Sequence, residues 1–435
     1  MRSHPRHHRR IARRLLSVAL LAISLAACAT LSPERRAPEP VVPRDTQDPW
    51  RQDLSVFERE LPQRHYDLFH ELSREEFRSR VAELSEKAPE LSAAEFDLEL
   101  RRILAAVGDS HTNLSWNPEM VYPLELHQFV EGIFCVAARE REQDVLGMRL
   151  VAIDELPIAE VRERFAEIIP HENETHLNNV FSVFLRSPTF LHLLGVTGNP
   201  EAGSFTFADY QGGSFTVELS AVSAENRVDY VRITERLSYT SENAPLYMRN
   251  SQRFYWQEHD EERRLLYIAY NSCREDPEYP MKDFVADVEE KLRSEPVETV
   301  VVDLRRNGGG SSLVLKPMIS MLAEQREESE DLGLYAFIGA RTFSSAILNA
   351  IELQQQAEAV LVGEPTGGRP NHYGEVRGFE LPNLGAQVRY STKYFQMYEG
   401  ELAELDSLLP EIEAPNSFSA LLQKRDPAMN AIGLW

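Results

Sequence analysis

The sequence predicts an α/β protein in three parts: a helical N-terminal region (49–120), a small β-rich module (121–235) and an α/β core (236–430). Three observations predict it. In "LSVFERELPQRHYDLF" and "EFDLELRRILAAV" apolar residues recur at three- and four-residue steps, the helical period. "GSFTFADYQGGSFTVELSAV" alternates around a Gly-Gly turn, which reads as a β-hairpin. Beyond Arg253, short β-rich runs ("RLLYIAYN", "ETVVVDLR", "LYAFI", "AVLVG") alternate with helical patterns, the signature of a core with parallel strands.

Ahead of these parts, "MRSHPRHHRRIARR" carries six arginines and no acid, and "LLSVALLAISLAAC" follows. A basic stretch, a short apolar stretch and small residues before a break read as a secretory signal, too short for a stable membrane span. Leu25-Ala26-Ala27-Cys28 resembles the lipobox of bacterial lipoproteins. The resemblance implies cleavage before Cys28, acylation of that residue and a lipid anchor at a membrane. Ala29 in place of an aspartate implies, by the same resemblance, an outer-membrane location facing the periplasm. The bland alternative is a plain signal peptide with an incidental cysteine. Residues 28–48, rich in proline and charge, read as a disordered linker.

In the helical region "LSAAEFDLEL" has a serine and, three residues on, a glutamate, a capping box. In the module "GMRLVAIDELPIAEVRERF" reads as strand, turn and helix, and the block as a whole looks PDZ-like. In the core "DFVADVEEKLRS", "SSLVLKPMISMLAEQ" and "SSAILNAIELQQQ" read as helices.

The formal net charge is −23, and loss of residues 1–27, with six arginines, takes it to −29. A nucleic-acid partner needs a basic footprint, so this class is disfavoured. Besides Cys28 there are only Cys135 and Cys273. They either pair in an oxidising compartment or serve as buried small apolar groups. There is no C-x-x-C or H-E-x-x-H spacing, so no metal or organic cofactor is expected.

Three segments carry candidate chemistry. In "ETVVVDLRRNGGGSS" a buried-strand run leads to Gly308, Gly309 and Gly310, whose backbone N–H groups can approach a ligand closely. In "LYAFIGARTFSSAILNA" strand, turn and helix put Ser344 and Ser345 at a helix N-terminus, where a serine is either a cap or a nucleophile near N–H donors. In "LAAVGDSHTNLSW" a helix ends at Gly108 and His111 follows in a turn, either a solvated loop histidine or a general base.

Read together, the segments resemble the tail-specific (C-terminal processing) protease family, and its tricorn-core branch more closely. "VVVDLRRNGGGSS" is similar to the family's D-L-R-x-N-x-G-G segment. "RTFSSAILNAIELQQQAEAVLVGEPTGGR" is similar to its nucleophile helix, strand and glycine turn, and "SLLPEIEA" and "KRDPAMNAI" to its endings. The resemblance implies a catalytic core of the crotonase/ClpP-like type and hydrolysis of peptide bonds.

In the lysine-using branch a lysine follows the serine by 25 residues; here Arg369 stands 25 residues after Ser344. Arginine stays protonated, so it cannot take the serine's proton. The tricorn-like branch uses a histidine in an S-H dipeptide, and Ser110-His111 supplies one. The resemblance therefore implies Ser344 as nucleophile and His111 as base. It further implies an orienting carboxylate among Glu401, Glu404 and Asp406, with Glu404 favoured, and oxyanion donors at Gly308 or Gly309 and Ser345. That branch carries an acid after the nucleophile; Ser345 stands there, so a preference for basic substrates does not carry over. His372, the runner-up base, and Tyr373 are candidate cleft residues beside Arg369. The expected partners are a peptide or protein substrate and, through Cys28, a membrane. Two other classes stay open: an inactive relative that binds peptides or lipophilic ligands, and an esterase or amidase for small substrates.

Overall fold

In a computed structural model the described residues are 48–209, 212–225, 230–329 and 331–434. Cys28, the signal segment and the linker up to residue 47 lie outside them. Among the described residues no helix is long and apolar enough to cross a membrane.

Three helices lead: Pro49–Arg64, Arg74–Lys87 and Ala93–Ala105. The third starts at the capping box, with Ser92 and Glu95 bonded reciprocally. The first stops at Arg64, short of the periodic pattern, because His65 turns to extended backbone and sends its ring inward to Asp109. A seven-stranded sheet follows, with its strands between Leu124 and Arg232. It includes the hairpin Ala202–Ala208 with Ser214–Ser220, as the alternation predicts. Phe418 and Leu421, near the C-terminus, return to pack in its core.

The core is a six-stranded sheet in the order Tyr255–Asp260, Leu265–Tyr270, Thr299–Asp303, Gly333–Ile338, Val360–Gly363, Ile412–Glu413. The first pair is antiparallel and the rest parallel. Alternate strand residues serve opposite faces. Ile268, Val302 and Ile338 pack against the helices Met281–Ser294, Lys316–Glu328 and Ser345–Ala357. Tyr267, Val301 and Phe337 pack against the C-terminal helix Pro427–Ala431. The helix expected from Ser311 begins only at Lys316, where Pro317 suits a first turn.

The segments do not stay apart. A hairpin from the core, His372–Leu381 with Ala386–Phe395, pairs with Asn113–Leu114 of the N-terminal region. This three-stranded sheet brings the "GDSHT" turn to the carboxyl ends of the core strands, the usual place for a site in such a sheet. Cys135 and Cys273 are both buried free thiols. Burial pushes their pKa up to about 12 and about 11, so neither is a ready nucleophile.

Candidate active site

Ser344 sits between the strand Gly333–Ile338 and the helix Ser345–Ala357, with φ 54° and ψ −129°. A positive φ is unfavourable for a residue with a Cβ, and such strain persists only where surroundings impose it. Here they do. The Phe343 N–H donates to the Asn307 carbonyl at 3.1 Å, and the Thr342 hydroxyl donates to the Leu304 carbonyl at 2.9 Å. These bonds tie the serine turn to the glycine loop. Ser344 makes no capping hydrogen bond. Its hydroxyl is thus not spent on the helix end, as the cap reading would require.

The glycine loop lies directly against this serine. A Cβ on Gly309, whose φ is +102°, would fall 2.8 Å from Ser344 Cβ. The Ser345 hydroxyl donates to the Gly310 carbonyl at 2.8 Å, fastening the helix start to the loop. The Gly309 N–H is already used, donating to Asn307 Oδ1 at 2.9 Å. Among the described residues the Gly308 N–H has no hydrogen-bond partner. The Ser345 N–H, at the first helical position, has none within the helix.

His111 is 6% exposed, with its ring stacked between two others. The Phe343 ring lies on one side, with centroids 4.4 Å apart and planes 20° apart. The His372 ring lies 5.5 Å away at 8°. Since Phe343 is the residue before Ser344, the stack joins the histidine turn to the serine turn. Among the described residues neither His111 ring nitrogen has a hydrogen-bond partner, so no bond to the Ser344 hydroxyl is closed here. Such contacts are often looser without substrate.

The carboxylates beside this imidazole are Asp109 and Glu172. Asp109 is fully buried, with Oδ1 3.7 Å from His111 Nδ1. Its Oδ1 accepts the His111 backbone N–H at 2.8 Å. Its Oδ2 accepts from His65 Nε2 at 3.0 Å, Thr112 at 2.5 Å and Ser391 at 2.6 Å. His65 donates through Nε2 because its Nδ1 accepts the Asp67 N–H. Burial opposes the charge of Asp109, but His111, His65 and Ser391 outweigh it and hold its pKa well below the ordinary value.

Glu172 turns its carboxyl inward, accepting the Ser110 N–H at 3.3 Å and the Arg369 N–H at 3.4 Å. Burial pushes its pKa up to about 7; His111 pulls it down and the Asp109 charge adds to the rise. Its folded pKa lies above the ordinary 4.5, so its contribution to stability is full below about pH 4.5 and lost as pH rises through about 7. Glu172→Gln, neutral at every pH, is expected to melt with the wild type at pH 5. At pH 8 it should be more stable by about 1–3 kcal/mol. Parallel melting curves across that range would show a solvated carboxyl instead.

Asp109, His111 and Glu172 form the one group among the described residues whose ligand atoms, all within 4.8 Å of one another, could hold a metal ion. Both Asp109 oxygens are already engaged by four donors, which suits an anchored carboxylate better than a ligand.

The other expected site residues lie elsewhere. Glu401 and Glu404 are exposed on the short 3₁₀ turn Gly400–Glu404, and no contact joins either to His111. Asp406 pairs with Arg369 at 2.7 Å at the surface. Tyr373 points to the opposite side of its strand, onto the His70 ring at 4.4 Å. His372 donates Nδ1–H to the Arg369 carbonyl at 2.9 Å, and burial lowers its pKa to about 4. It therefore stacks on His111 as a neutral ring. Arg369→Lys keeps a cation opposite Asp406. It is expected to leave the pH–rate profile in place and kcat within about threefold, since a surface pair is worth little. A profile moved toward alkaline pH would give this position a proton-transfer role.

The sequence alone assigns no role to Asp109, Glu172, His65 or Ser391. An acid two residues before the histidine was the one local signal for Asp109. The other three reach the site from distant segments.

Two cavities adjoin these residues. One of about 650 Å³ is bordered by Ser110 and Phe343, and one of about 640 Å³ by Glu172 and Arg369.

No protein-family model matches the sequence, and no curated protein does. Solved structures do match. Mature CPAF complexed with lactacystin is 14% identical, over 89% of this chain and 97% of that one, with a TM-score of 0.62. Mature CPAF alone is 14% identical, over 87% and 94%, with a TM-score of 0.59. At this identity the likeness establishes the fold alone: the chain is built as mature CPAF is.

Proposed function

We propose that the chain is a serine endopeptidase of the tail-specific protease family, working through an acyl-serine intermediate. The observation that carries the reading is the state of Ser344: strained, uncapped and at the head of a buried helix, with the neighbouring Phe343 ring stacked on His111. In this reading Ser344 Oγ attacks the substrate carbonyl carbon and His111 takes its proton. The Gly308 and Ser345 N–H groups hold the oxyanion. His111 then returns the proton to the leaving amine as the C–N bond breaks. A water attacks the ester by the same route and frees Ser344. Asp109, kept ionised, faces the imidazolium and favours it. A neutral His372 adds no second cation next to that ring. Two cavities at one site suit a chain that continues beyond the cleaved bond.

A fluorophosphonate probe tests this directly. It should modify the wild type on Ser344 and leave Ser344→Ala unlabelled, and the wild type should cut unstructured peptides. No labelling of a folded wild type would favour a binding protein on the same fold.

We further place the protein on a membrane through a lipid at Cys28, facing the periplasm at the outer membrane, on the strength of the lipobox resemblance. A clickable fatty acid should label the wild type and not Cys28→Ser. Equal labelling would remove the anchor.

A further inference from the structure

The 650 Å³ cavity beside His111 has no role in the proton transfers above. One wall is a single helix face: His176, Val180 and Phe184 stand four residues apart on the helix Glu174–Phe184. Facing it, Trp116 packs on Phe184 with centroids 4.9 Å apart. Phe343 closes the end next to Ser344, its ring stacked on His176 at 4.9 Å. The wall that carries Trp116 is preset. Buried Arg101 donates to the Leu114 and Ser115 carbonyls at 3.1 and 2.8 Å and is itself neutralised by Asp97. The third side is polar and exposed, with Glu380, Gln387 and Arg389.

Two features mark this as a built site. Ser110 lines the cavity and is 4% exposed, and its hydroxyl has no hydrogen-bond partner among the described residues, a donor left open next to the proposed base. A buried hydroxyl without a partner is costly, and a ligand's carbonyl would satisfy it. The aromatic walls fit a flat apolar group, which gains edge and face contacts there beyond its area.

We infer that this cavity is the specificity subsite, taking a large apolar or aromatic side chain next to the scissile bond, with the Ser110 hydroxyl bonded to the adjoining substrate carbonyl. This deepens the peptidase reading and rests on it. A Lys, Arg, Asp or Glu side chain would lose its water against Trp116, Phe184 and Phe343.

The test uses quenched peptides that differ only at the two positions flanking the cleaved bond. The wild type should cut Phe, Tyr or Leu peptides with kcat/KM at least tenfold above Ala, Lys and Glu peptides. Val180→Trp fills the cavity and should collapse the Phe-to-Ala ratio to about threefold or less, with its melting temperature reporting the fold. Ser110→Ala should raise KM for all the peptides. A wild type that prefers charged residues, or a ratio untouched by Val180→Trp, would overturn the inference even with Ser344 labelled by the phosphonate. If Ser344 is never labelled, the peptidase reading falls by itself. Polarisation binding of the same peptides then decides the cavity: tighter binding of Phe than Ala peptides, lost in Val180→Trp, supports it, and equal binding overturns it.

Discussion

Ser344→Ala, His111→Ala and the double variant should all fall to one activity floor, about 10⁴-fold or more below the wild type in kcat. Groups that act as one unit are not additive. Once the hydroxyl is gone the imidazole has no proton to take, and without the imidazole the hydroxyl is a poor nucleophile. The residual rate would come from the Gly308 and Ser345 N–H groups and from binding. Double-variant losses equal to the product of the single losses would separate the two residues. A large loss in His372→Ala, with His111→Ala nearly normal, would move the base to His372.

Asp109→Asn should be the other large effect, on activity and on stability. The carboxylate accepts four hydrogen bonds in a fully buried place. An amide offers one oxygen and turns an NH₂ group toward the remaining donors. Leaving buried donors unmatched costs about 1–3 kcal/mol each, so a loss of about 3 kcal/mol in unfolding free energy is expected. The imidazolium would also lose its nearest anion, and kcat should fall by about 10²-fold or more. The wild-type carboxylate contributes stability that is present above the unfolded pKa, near 3.8, and lost as pH falls through its lower folded value. The gap between wild type and Asp109→Asn should therefore close on acidification. A variant as stable and active as the wild type would show that these bonds hold nothing in place.

What was legible in the sequence is what is encoded locally. Helical period, hairpin alternation and the rhythm of β-branched runs mark elements because each depends on neighbours along the chain. The Gly308–Gly310 run and the paired serines were visible for the same reason: tight turns demand particular residue types. The turn marks His111 as a candidate base, but only resemblance pairs it with Ser344, since nothing local ties it to a serine more than 230 residues on. The carboxylates were harder still. Resemblance pointed to Glu404, whereas the structure sets Asp109 and Glu172 by the ring. Which acid faces an imidazole depends on how a hairpin and two helices pack, and no spacing records that. The end of the first helix was obscured similarly: the inward turn of His65 follows from a partner 44 residues away.

The hairpin His372–Phe395 means that the proposed reactive centre is completed late in the chain. It supplies the strand that pairs with Asn113–Leu114, the ring that lies over His111 and the Ser391 hydroxyl beneath Asp109. A chain still emerging from the ribosome at residue 371 already owns every atom of Ser344, His111 and Asp109. It lacks the wall that stands them in order. If these are the reactive groups, competence is gated by the completion of folding rather than by their presence. In the proposed peptidase this would be a safety catch, released when the segment after residue 371 docks.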